Sequence, residues 1–413
     1  MLRQAYYKWR YERQVSKEFS RSEELRKLAE LLGSAGKNVG ILTHNDVDGL
    51  TSAMLLKKLL ERIDVKRNVK INVLKAFKEQ YYSKFVSSGR YDVIFVLDLG
   101  VKKEMENLGK NVVVLDHHNV NSWPEACLVL NSYKLGMGYA PTVFMVHKAS
   151  TYLGLSDDDS YLLALLGCQA DLAVNSSAGT YYANLKWFYL YCKSRWKFLF
   201  DIRKGYRTRF DLDAGTTPLN MIVEALDVAL KARIIDSKYG LGLGVKNSIA
   251  YAFKVTKRMV ELVSKGGGGA FDFEKTLKDV GDGLLEMVEC YREEVERGLK
   301  LVLANRRKIS SPTGLLYVSQ VKDVSFLASV ANLALYDIVR ESGEDDAVLV
   351  VVNSLNDGTL VLSRSLGEKV NLHRLMQALA GEIRLKYSVC LLYTSDAADD
   401  GESVDFGGRR IIK

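Results

Sequence analysis

Three of the chain's five histidines fall in two short polar clusters, each placed directly after an apolar run. The first cluster reads Thr43-His44-Asn45-Asp46-Val47-Asp48-Gly49. This H-x-D-x-D-G spacing sets one imidazole and two carboxylates at a single strand end. The helix expected to follow carries Thr51 and Ser52 in its first turn, and its N-terminal N–H groups suit an anion such as phosphate. A plain Asx-rich turn would account for the aspartates but not for the histidine. The second cluster is Asp116-His117-His118, after Val112-Val113-Val114-Leu115. Here a carboxylate can hydrogen-bond the far nitrogen of a neighbouring imidazole, the arrangement that orients metal-binding histidines.

Two isolated aspartates belong with these clusters. Asp98 ends the run Val93-Ile94-Phe95-Val96-Leu97, where a buried and unpaired carboxylate would be costly and a metal-bound one would not. Asp171 ends an apolar helix, Leu162 to Ala170, and by itself fits a cap as well as a ligand. Together the chain offers Asp46, Asp48, Asp98 and Asp171 with His44 and His117, and no thiolate. Such an oxygen-rich set suits Mn²⁺ or Mg²⁺ better than structural zinc. One shared carboxylate can also hold two cations about 3.5–4 Å apart, the geometry of phosphoester hydrolysis.

The elements that must hold these residues are short apolar runs alternating with amphipathic stretches. Strands are expected at 38–42, 69–74, 92–97 and 111–115, with a helix over about 50–63. Runs this apolar point to a parallel sheet covered on both faces, with chemistry at the carboxyl ends of its strands. Residues 140–200 read as mainly helical, and 200–305 as helical and charged, broken by Gly266–Gly269. No Lys-Ser/Thr pair follows those glycines, so they read as a loop rather than a phosphate cradle. Gly33-Ser34-Ala35-Gly36-Lys37-Asn38 likewise fits a helix stop before a strand. A second unit opens near 307, with a strand over 315–320, a helix over 325–341, and a hairpin through Asn356-Asp357-Gly358. The fold class is α/β.

Residues 1–38 carry nine basic and five acidic side chains. Tyr6, Tyr7, Trp9 and Tyr11 alternate there with Lys8, Arg10 and Arg13. The segment reads first as a capping helix with a solvated basic face. It also has the composition to follow a phosphate backbone and stack bases. The whole chain of 413 residues has a net charge of +8 and is 47% hydrophobic, which excludes a mostly disordered chain and is compatible with a polyanionic partner. Its five scattered cysteines contain no C-x-x-C pair, so a disulfide framework or zinc ribbon is not expected and a reducing cytoplasm fits. No apolar run approaches the roughly 18 residues of a membrane span, so a membrane is not expected as a partner.

In their order along the chain, the H-x-D-x-D-G cluster, the strand-end Asp98, Asp116-His117-His118 and the Gly-x-x-x-Asp ending at Asp171 resemble the DHH phosphoesterase superfamily. The likeness covers residues 39 to about 175, and extends to a DHH-associated domain through Ser363-Arg364-Ser365. It implies that His44 and Asp46 hold one cation, that Asp48, His117 and Asp171 hold another, and that Asp98 bridges them. It further implies that His118 contacts the substrate phosphate, Asp116 orients the histidines, and Arg364 holds a phosphate from the second domain. Asp98, His118 and Asp116 are then the catalytic set. Two divalent ions are implied, with Mn²⁺ preferred over Mg²⁺. His147 and His373 lie on expected helices and read as structural.

The form of the first motif, the length and the helical connector resemble RecJ-type nucleases of the archaeal kind. That implies an exonuclease on single-stranded DNA or RNA, with replication or repair proteins as further partners. Two rivals remain. One is a small-substrate phosphodiesterase or phosphatase of the superfamily, acting on nano-oligonucleotides, cyclic dinucleotides or bisphosphorylated adenosine. The other is a RecJ-related replication scaffold without metals, against which the full ligand set argues. The expected organisation is a basic helical extension (1–38), a DHH catalytic domain (39–195), a helical connector (196–306), a smaller DHH-associated domain (307–389) and a tail (390–413). The tail back-translates to a sequencing-library adapter read in frame, and no regular structure is expected in it. It holds five acids and three bases, so the residues before it carry +10. Read this way the protein is truncated near residue 389, ahead of the Gly-Gly-His motif that the resemblance leads one to expect.

Overall fold

A computed structural model describes residues 2–75, 78–100, 105, 111–118, 127–171, 179–203, 207–210, 216–265, 272–311, 314–343, 347–355, 358–366, 389–392 and 401–405. The chain divides into two compact units, Met1–Val288 and Glu289–Lys413.

The first unit is organised around a five-stranded sheet. Its strands are β1 (Asn38–His44), β2 (Asn68–Leu74), β3 (Val93–Leu97), β4 (Val112–Asp116) and β5 (Leu128–Asn131), in the order β2-β1-β3-β4-β5. All four pairings are parallel. The expected strands are present within a residue or two, and β5 joins them at the edge. Every residue of β3 and β4 is buried, as strands covered on both faces require. One face is closed by Phe85 of α4 (Glu79–Ser87), packed with Leu42, Ile94, Val96 and Val114. Against the sheet and one another pack α3 (Val47–Ile63), α5 (Thr142–Tyr152) and α6 (Asp158–Ala170).

The strand order reverses between β1 and β3. In an open α/β sheet this opens a crevice beyond the strand ends, where ligands bind. The clusters after β1, β3 and β4 therefore all face one region.

Two helices precede the sheet, α1 (Leu2–Arg21) and α2 (Glu23–Ser34). Tyr11, Val15 and Phe19 form the buried stripe of α1, which packs on α5 and on α7 (Gly179–Arg195). Ser22 starts α2 by accepting from the Leu25 N–H at 3.2 Å. Beyond α7 lie α8 (Pro218–Ala229), α9 (Ala232–Tyr239), α10 (Ser248–Lys265) and α11 (Phe273–Val280). Thr217 caps α8 and Pro218 opens it, a favoured pairing. Helix α8 packs against α6 and α10.

Helix α12 (Leu284–Ala304) leads into the second unit. That unit is a six-stranded mixed sheet with α13 (Leu327–Ser342) against it. Its strands are β6 (Arg306–Ser311), β7 (Gly314–Lys322), β8 (Ala347–Leu355), β9 (Gly358–Leu366), β10 (Val389–Leu392) and β11 (Gly401–Asp405), in the order β10-β11-β9-β8-β7-β6. Leu355 lies opposite Gly358 in the β8–β9 hairpin, which leaves two residues for the turn.

The tail departs from expectation. It was expected to lack regular structure, yet β10 and β11 pair with each other and β11 pairs antiparallel with β9. Without β11 the edge of β9 would present unpaired backbone N–H and C=O groups, and such an edge accepts a strand without needing an apolar face on it. Residues 266–271, His373 and the Asn356-Asp357 pair lie outside the described residues. Among the described residues, no helix is long and apolar enough to cross a membrane.

Candidate metal centre

The centre is built at the ends of three neighbouring strands and the start of one helix. His44 is the last residue of β1, and Asp46 caps α3 by accepting from the Gly49 N–H at 2.8 Å. The motif's glycine has a steric cause. A Cβ on Gly49 would stand 2.4 Å from the His44 carbonyl oxygen, a separation that no side chain tolerates. The Thr43 hydroxyl donates to the Gly49 carbonyl at 2.6 Å and locks the same turn.

Asp98, just past β3, has a positive φ of 58°. That left-handed conformation is uncommon for a residue with a side chain and concentrates at functional sites. It is held by the Asp98 N–H donating to the Leu115 carbonyl at 3.0 Å. Across the crevice, His117 Nε2 stands 3.0 Å from Asp98 Oδ1 and 3.2 Å from Asp171 Oδ2. His44 Nδ1 lies 3.8 Å from Asp98 Oδ2 and is hydrogen-bonded to Asp46.

Donor atoms of His44, Asp46 and Asp98 lie within 4.8 Å of one another. So do those of Asp48, His117 and Asp171, and those of Asp98, His117 and His118. All six residues singled out from the sequence as metal ligands therefore meet at one place.

Asp48 is engaged from a second side. Its two carboxylate oxygens accept the backbone N–H groups of Thr142 at 2.8 Å and Val143 at 3.0 Å, in the first turn of α5. A carboxylate has about four acceptor positions, so these bonds leave room for a cation. The close packing of α6 beside Asp48 depends on Gly167, where a Cβ would stand 2.4 Å from Thr51 Oγ1 and 3.0 Å from Asp48 Oδ1.

Asp116 and His118 form a separate, oriented pair. Asp116 Oδ1 is 2.8 Å from His118 Nδ1 and also accepts the Gly100 N–H at 3.2 Å. Its Oδ2 accepts the His118 N–H at 3.1 Å and an Asn131 amide N–H at 3.3 Å. With Nδ1 so occupied, the other ring nitrogen of His118 is the one left to meet a ligand.

The electrostatics of the centre call for cations. Burial, followed by the charges of Asp46, Asp48 and Asp171, pushes the Asp98 carboxyl well above its ordinary range. Burial and the Asp46 charge push Asp48 up to about 7. Burial works against ionisation of Asp46 too, but the neighbouring His44 outweighs it and holds that carboxyl low. Burial, with His118 alongside, brings His117 down to about 3, so its imidazole is neutral and carries a lone pair. Four carboxyl groups pressed together with the imidazoles of His44 and His117 form a donor set that fits hard or borderline divalent cations.

Several residues at the centre carried no sequence signal. Asn131, at the end of β5, donates to both Asp116 and the His118 carbonyl. Tyr139 donates to the Asp171 carbonyl at 3.0 Å, and its ring lies 5.1 Å from that of His117. The Thr142 hydroxyl lies 3.4 Å from Asp98. Farther along, Asp227 holds Lys231 and stands 3.5 Å from Arg209, and the Asp46 charge reaches both Asp227 and Lys231. A Pro-Thr helix start at 141–142 is the one local cue among these.

The remaining expected residues lie elsewhere. Arg364 is in β9 of the second unit, between Leu349 and Gly401, and its side chain lies outside the described residues. His147 is fully buried against Tyr11, whose hydroxyl is 2.9 Å from its Nδ1, a structural position as expected.

Residues 38–165 match the family described as the DHH family, N-terminal domain. No curated protein matches the chain by sequence. Among solved structures, a DHH-domain protein described as belonging to a family of ribosomal proteins aligns over 98% of this chain and 95% of its own length. Its TM-score is 0.60 at 16% identity. An exonuclease RecJ bound to manganese aligns over 93% of this chain and 90% of its own, with TM-score 0.50 and 17% identity. CDC45 from Entamoeba histolytica aligns over 93% and 95%, with TM-score 0.51 and 12% identity.

Proposed function

From a DHH-family domain at residues 38–165 and a RecJ-like fold, we propose that this protein is a metal-dependent phosphodiester hydrolase, an exonuclease acting on single-stranded nucleic acid. The observation that carries the reading is the meeting of Asp46, Asp48, Asp98 and Asp171 with His44 and His117 at the point where the strand order reverses. A cluster of like charges in this position costs stability unless a counter-charge is bound.

His44 and Asp46 would hold one divalent ion, Asp48, His117 and Asp171 a second, with Asp98 shared between them. Cations held there would supply a water nucleophile at neutral pH and neutralise charge at phosphorus. Mn²⁺ is the first choice for this mixed oxygen and nitrogen set, and Mg²⁺ the second.

The chain's own groups do the rest. Asp116 fixes the ring of His118, and burial opposes but does not overcome the pull of that carboxylate, so the His118 pKa is raised. The imidazolium is thereby favoured as a hydrogen-bond donor to a phosphate oxygen. Asn131 and the Gly100 N–H hold Asp116 in turn. Lys231, held by Asp227, adds positive charge within electrostatic reach of Asp46, and Arg209 stands on the same Asp227. Arg364 would bind a further phosphate.

The test is a length series of 5′-labelled DNA and RNA oligomers incubated with Mn²⁺. Stepwise shortening of long single strands is the expected result. Degradation confined to the shortest oligomers would replace this reading with the small-substrate one. No hydrolysis at any length, together with no Mn²⁺ bound, would favour the scaffold.

A further inference from the structure

The face of α1 turned away from its buried stripe carries a cluster that the metal centre does not use. Leu2, Tyr6, Trp9 and Arg13 recur at helical spacing on it. Tyr6 and Trp9 are 46% and 49% exposed, unusual for aromatic residues that serve only packing. Their rings are 6.2 Å apart, and Tyr6 meets Trp187 of α7 edge-on at 6.0 Å. Tyr7 approaches the same Trp187 at 6.3 Å.

Cations are layered over these rings. Arg10 lies 4.4 Å and Lys186 5.3 Å from the centre of the Trp187 ring, and Arg13 lies 5.3 Å from that of Trp9. Each such contact steadies a ring while keeping a positive charge at the surface. Alternating π-faces and guanidinium groups give bases something to stack on and phosphates something to pair with.

Along the axis of α1 the cluster is level with the start of α5. Along α1, Tyr11 packs on Phe144 and His147, Glu18 pairs with Lys148 at 2.7 Å, and Phe19 stacks on Tyr152 at 4.3 Å. Helices α1 and α5 therefore run side by side in the same direction. Going from Tyr11 towards the N-terminus, Trp9 and Tyr6 lie about 3–8 Å along the axis. That level is the first turn of α5, whose Thr142 and Val143 N–H groups bind Asp48.

We propose that Tyr6, Trp9 and Trp187, with Arg10, Arg13 and Lys186, form a stacking platform for single-stranded nucleic acid leading to the metal centre. The occupant follows from the charge. An apolar protein partner would not call for cations over each ring, whereas a polyanion with aromatic bases uses both. This inference rests on the proposed function for its ligand class, and its test is a binding measurement that needs no turnover.

Intrinsic tryptophan fluorescence of the full chain is titrated with a single strand of about 20 nucleotides in EDTA. Of the four tryptophans, Trp196 is fully buried and Trp123 lies outside the described residues, whereas Trp9 and Trp187 belong to the platform and report its occupancy, Trp187 alone in Trp9→Ala. Quenching is expected, and Trp9→Ala should weaken binding about five- to 150-fold, the range of one lost stacking contact. Trp9→Phe keeps a ring and should bind within about a few fold of the parent, which separates stacking from misfolding. Dinucleotide hydrolysis with Mn²⁺ should be the same in all three proteins.

Unchanged long-strand affinity in Trp9→Ala would overturn the platform, as would self-association of the parent that Trp9→Ala abolishes without nucleic acid. Platform and hydrolase fail separately. Normal quenching with no hydrolysis sinks only the enzyme, and normal hydrolysis with no effect of Trp9 sinks only the platform.

Discussion

Asp98 Oδ1 lies 3.0 Å from His117 Nε2, which joins the ends of β3 and β4 in one contact and leaves Asp98 Oδ2 facing His44. A single left-handed residue thus stands between the two ligand groups, and its carboxylate is the one both would share. Replacing it with asparagine keeps the shape and tolerates the same backbone. Without metal, Asp98→Asn should be more stable than the parent at neutral pH, because burial and the neighbouring carboxylates make the parent's Asp98 take up a proton on folding, a cost asparagine does not carry. With metal the order should reverse. A ligand at 100 times its Kd stabilises the native state by about 2.7 kcal/mol, and the variant should forfeit most of that gain while losing turnover by orders of magnitude. Thermal unfolding with and without Mn²⁺, alongside metal stoichiometry, checks it. Undiminished Mn²⁺ stoichiometry and activity would remove the bridging role.

Gly167→Ala tests how tightly the centre is packed. Alanine favours a helix over glycine by about 1 kcal/mol, which acts in the variant's favour. Against it, the new Cβ would stand 2.4 Å from Thr51 Oγ1 and 2.6 Å from Val143 Cγ1. Overpacking typically costs about 1–3 kcal/mol, and contacts this short belong at the upper end. The net expectation is a loss of about 1–2 kcal/mol in urea unfolding, with weaker Mn²⁺ binding because Asp48 must shift. A neutral or stabilising effect would mean that α6 can withdraw from α3 and α5 freely.

His147 sets an acid limit on stability. Burial, its leading influence, lowers its pKa to about 3, and its Nε2 is buried without a hydrogen-bond partner. The unfolded chain takes up a proton near pH 6.5, the folded one only near 3. Between those values the unfolded state binds more protons, so stability falls as pH falls, by on the order of 5 kcal/mol in all. His147→Phe, among Tyr11, Phe144, Tyr161 and Phe188, should flatten this part of the pH profile. Equal acid sensitivity in parent and variant would assign the loss to other groups.

Binding of long single strands should weaken with salt. Each phosphate neutralised contributes a slope of roughly −0.7 in log affinity against log salt, so a chain that engages several phosphates should show a steep dependence. Fluorescence titrations at a series of salt concentrations measure it. A flat profile for long strands would point to small substrates.

Spacing and strand patterning alone were enough for the α/β class, the first four strands and the six candidate ligands. Apolar runs of β-branched residues can hardly form anything but covered strands, and polar residues at their ends must then share one edge of the sheet. The rest came from tertiary packing. That Asp48 would take the first N–H groups of α5, 94 and 95 residues away, depends on how two helices dock, and no local pattern encodes it. Asn131 could be placed on Asp116 only once β5 had paired with β4 in a register that sets the two side by side. The aromatic residues of α1 show the same division. Their spacing is that of a helix, but only packing separated Tyr11, buried on His147, from Tyr6 and Trp9, left facing water. The backbone follows its own short-range sterics, whereas the neighbours of a side chain are chosen by the burial of surfaces that lie far apart in the chain.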